Sequence, residues 1–521
     1  MRKADRSVAP PGAVRIGDPF GSADSYDRLL GLMRADSRDF QRRDGPEADP
    51  GGHRGKARVN APPRRRAFVI ATLALVACVA ALAFLGPWRE APGAGLALFL
   101  AAGAAWWGTT WCAERTPPAP VVVCAVALLL RVLALASHLE LSDDAYRYVW
   151  EGELVTRGIS PYAWSPDDPA LAAVRAERSD LFPRVSHPEV PAVYPPLVQG
   201  CAALAVQGAR VLDLDRVDGP ISILRVFLSV VDLLVLWPLV RLARGSGRPS
   251  AALVAWGFSP LVAFECAGSA HFDVLGIACL LAALAALARA DVRPGAGRDA
   301  VASGWLAAAI AVKYLPVLVL PWPGTRARAV RRIGLTALCV ALSFAPFLFL
   351  LGGDRGFLGG LSHYRDRWEA ASLVFRFVHR ATAAVFEPSD GWTDPGRLAR
   401  ALVALAWLAW AILVVVRVRE RVRGAGLLIA GYLVLTPTLH PWYLVWMLPF
   451  VAWSGSRAWT WLVVVAPVLY APIATWQLEG RWIEPAWVWP VVALPFFALL
   501  ILGARIPRRA PAPPGEAVPG A

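Results

Sequence analysis

The sequence lacks the short motifs that mark the commonest soluble enzymes: it has no glycine-rich phosphate loop, no HExxH helix and no GxSxG elbow. Its seven cysteines all lie in or beside apolar runs, with no CxxC pair and no Cys/His spacing suited to zinc. We therefore interpret the cysteines as small buried hydrophobic residues. Nucleotide-binding loops, zinc proteases and serine hydrolases of the familiar kinds are not expected.

Charge is also scarce. Only 18% of the 521 residues are charged, whereas 56% are hydrophobic, and the mean hydropathy is +0.47. A soluble chain this apolar could not cover its surface with polar groups. The 53 Lys and Arg residues against 39 Asp and Glu give a net charge of +14, which suits the cytoplasmic loops and tails of a membrane protein. No basic helix or aromatic-basic module indicates nucleic-acid binding.

Apolar stretches of about 20 residues, the length that spans a bilayer, recur along the chain. They predict an all-α polytopic membrane domain over 67–504, between a disordered basic tail at 1–66 and a Pro/Arg-rich tail at 505–521. If 195–212 and 301–321 do not cross the membrane, all the arginines between the runs lie on the cytoplasmic side, as the positive-inside rule favours. Twelve crossings then remain, and both termini are cytoplasmic.

Two long polar segments, 139–194 and 352–397, interrupt this rhythm and are expected on the outer face. Loops this long usually carry function. In the first, Asp143 and Asp144 directly follow a predicted span. One interpretation is structural, with Ser142 as N-cap and both acids favouring the positive end of a helix dipole. The other is a polar cavity in which one acid is a general base.

The residues after these acids suit a sugar. Helical spacing makes Arg147 the i,i+4 partner of Asp143 and places Tyr148 over Asp144. Aromatic rings stack on the apolar face of a sugar, while carboxylates accept hydrogen bonds from its hydroxyls. The segment therefore predicts a carbohydrate site, although a plain helix start remains open.

Other polar residues lie beside or inside apolar runs. Lys313 lies deep in the run 307–320, where a lysine is costly unless it is paired, solvated or snorkelling toward an interface. His271 and His440 fall at predicted outer helix ends, and each is either structural or part of a site. Arg365 in the second outer loop either binds an anionic lipid head or acceptor or is a solvated surface residue.

Four short segments between about residues 120 and 450 form a recognisable order. They are Ser142–Pro196, with Asp-Asp-Ala-Tyr-Arg-Tyr and Tyr-Pro-Pro elements, Ser259–Asp273, Ala311–Pro316 and Leu439–Tyr443. In this order, within a polytopic chain, they resemble the bacterial polyprenyl-phosphate-sugar-dependent mannosyltransferases of the GT-C superfamily. Such proteins often read Gly-His-Asn-Asp where this chain has Ala270-His271-Phe272-Asp273.

The resemblance implies a GT-C-like helical bundle whose large first outer loop bears short amphipathic helices. It implies inverting transfer of a hexose, with mannose favoured, from a polyprenyl-phosphate donor to a lipid or envelope glycan acceptor at the outer face of the inner or plasma membrane. Displacement at an anomeric carbon needs a base for the acceptor hydroxyl and cations for the departing phosphate.

The resemblance also implies roles for residues of this chain. Asp143 is the expected base, and Asp144 is expected to orient the acceptor or a divalent metal, the need for which stays open. The expected donor-binding residues are Arg147, Tyr148, His271, Asp273, Lys313 and His440. The candidates for the acceptor are Tyr146, Tyr194 and Arg365.

Two other classes of function fit a polytopic chain with charged residues near the membrane. A lipid or sugar transporter or flippase predicts two halves with discontinuous helices in matching positions, and the sequence shows broken runs but no convincing internal repeat. A non-catalytic assembly subunit would leave the outer acids unneeded. The sugar, acceptor and linkage are not specified by the sequence.

Overall fold

Helices form almost all of the regular structure in the computed structural model, which describes residues 63–243, 249–320, 326–350, 359–389, 391 and 393–505. Across these residues there is no β-strand, only two isolated bridges that join Ala370 and Ala371 to Thr438. The predicted all-α class is confirmed. The predicted tails lie outside the described residues except at their inner edges, as do residues 352–358 of the second loop.

Eight α-helices lie in the described chain up to residue 257, separated by turns and by the long first loop. They are α1 (Pro63–Ala83), α2 (Pro92–Ala113), α3 (Pro120–Leu135), α4 (Asp144–Thr156), α5 (Ala172–Glu177), α6 (Pro196–Val211), α7 (Asp218–Ala243) and α8 (Pro249–Gly257). Proline stands at the start of several of them, for example α2, α3 and α6. A proline there loses no hydrogen bond, because the first N–H groups of a helix have no partner within the helix.

The remaining described chain continues in the same way. Its helices are α9 (Pro260–Ala263), α10 (Asp273–Val292), α11 (Ala296–Val312), α12 (Arg326–Ala345), α13 (Gly359–Arg367), α14 (Phe375–Ala383), α15 (Pro395–Arg417), α16 (Arg421–Leu435), α17 (Leu448–Ser454), α18 (Arg457–Val465), α19 (Ala471–Glu479) and α20 (Val488–Arg505). Wider π-helical turns follow α9 at Phe264–Gly268 and α12 at Pro346–Leu350. Tighter 3-10 turns include Leu315–Val319 and Pro441–Met447.

Many of these helices are long and apolar enough for a bilayer. In the described ranges there are seven such helices, and the pair Pro249–Gly257 and Pro260–Gly268, bent by 47°, would make an eighth. Shorter apolar helices lie at Pro120–Leu135, Pro441–Val451 and Val488–Gly503. The protein is therefore a polytopic membrane protein. The twelve crossings and the sidedness stay predictions, although α6 and α11, which cover the two runs predicted not to cross, are absent from both groups.

The first long loop is built on α4, which packs against α6. Their close approach depends on Gly152, where a Cβ atom would lie 2.6 Å from the backbone carbon of Ala202. Buried Glu153 on α4 ties the rest of the loop down, with ion pairs to Arg178 at 2.9 Å and to Arg210 at 2.6 Å. The start of α4, where the two predicted acids lie, is thus fixed against the helical bundle.

Candidate active site

A cavity of about 1390 Å³ opens beside the start of α4. Its wall is built from the first loop, the turn after α11, residues of α13, α15 and α16 with their flanking segments, the turn before α17, and α19 with the residues that follow it. Seven of the residues predicted from the sequence line it: Asp143, Asp144, Arg147, Tyr194, Lys313, Arg365 and His440. Residues far apart in the chain therefore share one space.

Asp143 immediately precedes α4 and faces this cavity. Its Oδ2 accepts a hydrogen bond from Trp476 Nε1 at 3.0 Å. Burial raises the pKa of the Asp143 carboxyl, and the negative charges of Asp144 and Glu140 raise it further, against the opposing effect of the Trp476 hydrogen bond. A carboxylate with raised proton affinity beside an open space has the properties of a general base.

Asp144, the first residue of α4, is held differently. Tyr194 OH donates to its Oδ2 at 2.7 Å, and His271 Nε2 lies 3.4 Å from the same oxygen. Burial would raise the pKa of Asp144, but the hydrogen bonds from His271 and Tyr194 and the charge of His271 outweigh it and lower the pKa to about 2. Asp144 therefore stays ionised, and its side chain remains 23% exposed.

His271 is buried behind Asp144. Its Nδ1 lies 2.6 Å from Glu265 Oε2, and its backbone N–H donates to the Glu265 carbonyl oxygen at 2.9 Å. The tight reversal that brings them together passes through Ala270 at φ 59°, a left-handed conformation that favours glycine. Burial lowers the pKa of His271, but Glu265 and Asp144 reverse the effect and raise it to about 9. The imidazole is thus protonated at neutral pH.

His440 lies on the far side of an indole from His271. Trp442 stacks with both imidazoles, with ring centroids 4.3 Å from His271 and 4.4 Å from His440. Burial lowers the pKa of His440 to about 4, helped by the positive charges of Lys313 and His271 and opposed by Asp144. Trp442 therefore stacks with one charged and one neutral histidine, and of these two His440 lines the cavity.

Lys313 ends α11 and reaches the cavity as a paired cation. Its Nζ lies 2.7 Å from Asp273 Oδ1 and 4.6 Å from the centre of the Tyr443 ring. Asp273 also accepts from the indole of Trp446, which packs so closely on α10 that a Cβ at Gly276 would lie 2.7 Å from it. The lysine is 20% exposed, so it is held by partners rather than extended toward an interface.

Some sequence interpretations were wrong in their geometry. Arg147 does not pair with Asp143. Its Nε donates to Glu151 at 2.9 Å, and its other nitrogens donate to backbone carbonyl groups of the first loop, including that of His187. The i,i+4 rule allowed a partner on either side, and Glu151 lies one turn further into the buried face of α4. Arg147 thus shapes the cavity wall by holding residues 186–190.

The other predicted residues divide into two groups. Tyr148 is buried, with its ring edge-on to Tyr194 and Phe272, so it supports the residue that binds Asp144. Tyr146 does not line the cavity, because it packs on the opposite side of α4, where Arg184 covers its ring. Arg365 lies at the cavity wall but is 69% exposed and paired with Asp366.

Three functional neighbours were not predicted. Trp476 and Trp442 gave no signal, because the sequence has 23 tryptophans and most of them suit an interface belt. Glu265 did give one, since a carboxylate in the apolar run 251–266 is costly unless it has a partner. No group of three or more His, Cys, Asp or Glu in the described ranges is placed to hold a metal ion, so we assign no metal ligands.

Comparison with known proteins gives one match. The profile of a family described as "Alpha-(1->6)-mannopyranosyltransferase, N-terminal domain" matches residues 67–328, just over half of the chain. The matched region contains the acids, His271, Glu265 and Lys313, whereas His440, Trp442 and Trp476 lie beyond it. No curated protein and no solved structure matches the chain.

Proposed function

Because the chain belongs to this alpha-(1->6)-mannopyranosyltransferase family, we propose that its cavity moves mannose from a polyprenyl-phosphate donor to a lipid or envelope glycan acceptor. The observation that carries the proposal is that one cavity contains two unequal carboxylates, a lysine and an apolar wall. Each feature matches one part of such a reaction.

The apolar wall suits the lipid part of the donor. It includes Leu315, Leu318, Val403, Ala404 and Trp407 on the turn after α11 and on α15. These side chains lie on the same cavity as Lys313, the lysine that begins this turn. A polyprenyl chain along the apolar wall would place its phosphate near the Lys313 ammonium, which supplies a cation for the departing phosphate.

The acids suit the sugar transfer. In the proposed step the acceptor hydroxyl attacks the anomeric carbon of mannose, its proton passes to Asp143, and the bond from that carbon to the phosphate oxygen breaks. Attack from the side opposite the phosphate inverts the anomeric centre. Asp144 stays ionised and accepts hydrogen bonds from sugar hydroxyls. Polyprenyl phosphate leaves with the electron pair of the broken bond.

Aromatic rings around Asp143 suit the acceptor sugar. Trp476, which donates to Asp143, stacks with His187 at 5.4 Å, and His187 is edge-on to Trp368 at 4.4 Å. All three line the cavity. Such rings bind the apolar face of a pyranose, so the acceptor hydroxyl would approach Asp143 from this side.

We propose that the cavity opens on the outer face of the inner or plasma membrane, with both termini in the cytoplasm. This follows from arginine placement, since exposed Arg293 falls between α10 and α11, on the predicted cytoplasmic side. In a protein depleted of native cysteines, a cysteine at Asp167 should label from outside and one at Arg293 only after permeabilisation. The reverse pattern would place the cavity inside.

The direct test of the function uses purified protein with two donors. Polyprenyl-phosphate mannose should be consumed, giving polyprenyl phosphate and an extended mannoside, whereas a nucleotide-linked mannose should not. Transfer from the nucleotide sugar alone would refute the lipid donor. If neither donor reacts while labelled lipid-linked sugar crosses proteoliposome membranes, the transporter alternative would replace the enzyme.

A further inference from the structure

Glu265 is a buried carboxylate that the proposed transfer step does not use. It is 1% exposed and lies in the π-helical turn Phe264–Gly268, where the bent pair of helices ends. A π-helical turn interrupts the regular hydrogen-bond ladder and is frequent at functional sites. A carboxylate buried among apolar side chains is costly unless it is paired. Its partners therefore indicate what it does.

Glu265 is one end of a continuous polar chain that leads to the cavity. Tyr470 OH donates to its Oε1, and its Oε2 lies 2.6 Å from His271 Nδ1. On the other side of the ring, His271 Nε2 lies 3.2 Å from Ser142 Oγ and 3.4 Å from Asp144 Oδ2. The chain thus connects a fully buried acid to a cavity acid through one imidazole.

The geometry fixes the state of that imidazole. Both ring nitrogens of His271 face carboxylate oxygens, and an ionised carboxylate accepts hydrogen bonds but cannot donate them. With both carboxylates ionised, both nitrogens carry hydrogen, which makes the ring an imidazolium. Ser142 Oγ, 3.2 Å from Nε2, shares the Nε2 proton with Asp144, and Trp442, which also stacks with His440, covers the face of the ring.

We propose that Glu265 is a positioning residue for sugar transfer: it holds His271 as an imidazolium whose Nε2–H is directed at Asp144. This inference rests on the proposed function. Asp144 is then kept ionised and in one orientation by a cation behind it and by Tyr194 beside it. Within the described part of the chain Asp143 forms no ion pair and accepts only from Trp476, so it remains the acid that accepts the acceptor's proton. The difference between the two acids originates in the buried glutamate.

The groups that face His271 are few and come from separate elements. They are Glu265 on the π-helical turn, Ser142 and Asp144 on the first loop, and Trp442 with His440 on the turn before α17. Only Glu265 and Asp144 carry a negative charge. Removing the charge of Glu265 halves the negative charge that stabilises the imidazolium, without removing any group that lines the cavity.

Glu265→Gln and Glu265→Asp test this proposal. With Gln, kcat at pH 7.5 should fall about 10- to 100-fold with donor KM within three-fold, because orientation rather than binding is lost. The alkaline limb of kcat should shift from near 9, the pKa of His271, toward the ordinary histidine value of about 6.5. Glu265→Asp keeps the negative charge, so its alkaline limb should stay close to the wild-type position.

The matched control is Glu153→Gln, which removes another buried glutamate charge, one paired with arginines outside the cavity. It should lower thermal stability and leave the pH profile in place. An unshifted alkaline limb in Glu265→Gln, at thermal stability matched to wild type, would overturn the proposal. So would equal shifts in the Gln and Asp variants.

A measurement without turnover separates this inference from the proposed function. Nitrogen-15 NMR of the seven histidines at pH 8 should show one doubly protonated ring in wild type and none in Glu265→Gln. A wild-type protein without that signal refutes the role of Glu265 even if the enzyme is active. A wild-type protein with the signal but no transferase activity supports the imidazolium and refutes the function.

Discussion

Charged side chains in two parts of this protein are paired in opposite ways. Arg131 on α3 and Asp232 on α7 are 1% and 0% exposed and lie 2.5 Å apart. The second oxygen of Asp232 accepts from Trp256 Nε1 at 2.6 Å, and the other Arg131 nitrogens donate to carbonyl groups of α8. Every strong hydrogen-bonding group of this pair has a protein partner, and neither side chain lines the cavity.

The cavity acids have incomplete and unequal partners. Asp143 accepts one indole N–H, and Asp144 shares one oxygen between a phenol and an imidazole. No arginine among the residues that the structure describes pairs with either acid. Both acids line a space large enough for a substrate. A buried charge that is fully paired with arginine therefore holds helices together. A charged group that is held by weaker donors beside a cavity is available for chemistry.

Breaking the ion pair between Arg131 and Asp232 should give the largest loss of stability. Asp232→Asn leaves Arg131 buried without its counter-charge, which typically costs about 3–5 kcal/mol. The free energy of unfolding in detergent should fall by that amount. Asp144→Asn, at a partly exposed site, should cost far less. If both variants lost the same free energy of unfolding, the distinction between arginine-paired acids that stabilise the fold and cavity acids that do not would be wrong.

Removing the lysine that lines the cavity should have the next largest effect, on donor binding. Lys313→Met should raise the donor KM about 10- to 100-fold, the effect of losing a charged hydrogen bond, and should also lower thermal stability, because it leaves buried Asp273 without its counter-charge. Arg376→Met removes a cation that pairs with Glu484 and does not line the cavity, so it should not change donor KM. Unchanged donor saturation in Lys313→Met would assign the lysine to structure alone.

The fall of kcat at acid pH should reflect protonation of Asp143. A base must be ionised, so activity is present above its pKa and is lost as the pH falls through it. Burial raises the pKa of Asp143, which places the acid limb of kcat above the ordinary aspartate value of about 3.9. Asp144, at about 2, stays ionised over this range. A limb below 3.9 would show that Asp143 is not the titrating base.

The smallest effect should come from the turn that carries His271. Ala270 adopts φ 59°, which costs a residue with a Cβ about 1–2 kcal/mol. Ala270→Gly should therefore raise the free energy of unfolding by about 1 kcal/mol without changing kcat. Ala267→Gly, within the preceding π-helical turn, should lower it. A loss of stability in Ala270→Gly would show that packing of the alanine methyl group outweighs the strain.

The sequence predicted the helices well because apolar runs of spanning length have few alternatives. It also indicated Asp143, Lys313 and His271, because a charged or polar group beside hydrocarbon is costly enough to need a reason. Partners were harder to predict. Trp476 reaches Asp143 across 333 residues, and no local pattern encodes such a contact. The same limit explains the wrong partner for Arg147, whose two candidate acids are equally spaced along α4.

The central claim is that Asp143 does chemistry while the arginine-paired acids hold the fold. The transfer rate of purified Asp143→Asn, matched to wild type in thermal stability, tests it most directly. We expect this variant to bind the lipid-linked donor and to transfer sugar about 100- to 10,000-fold more slowly, the usual cost of losing a positioned base. Transfer within a few-fold of wild type in both Asp143→Asn and Asp144→Asn would contradict it.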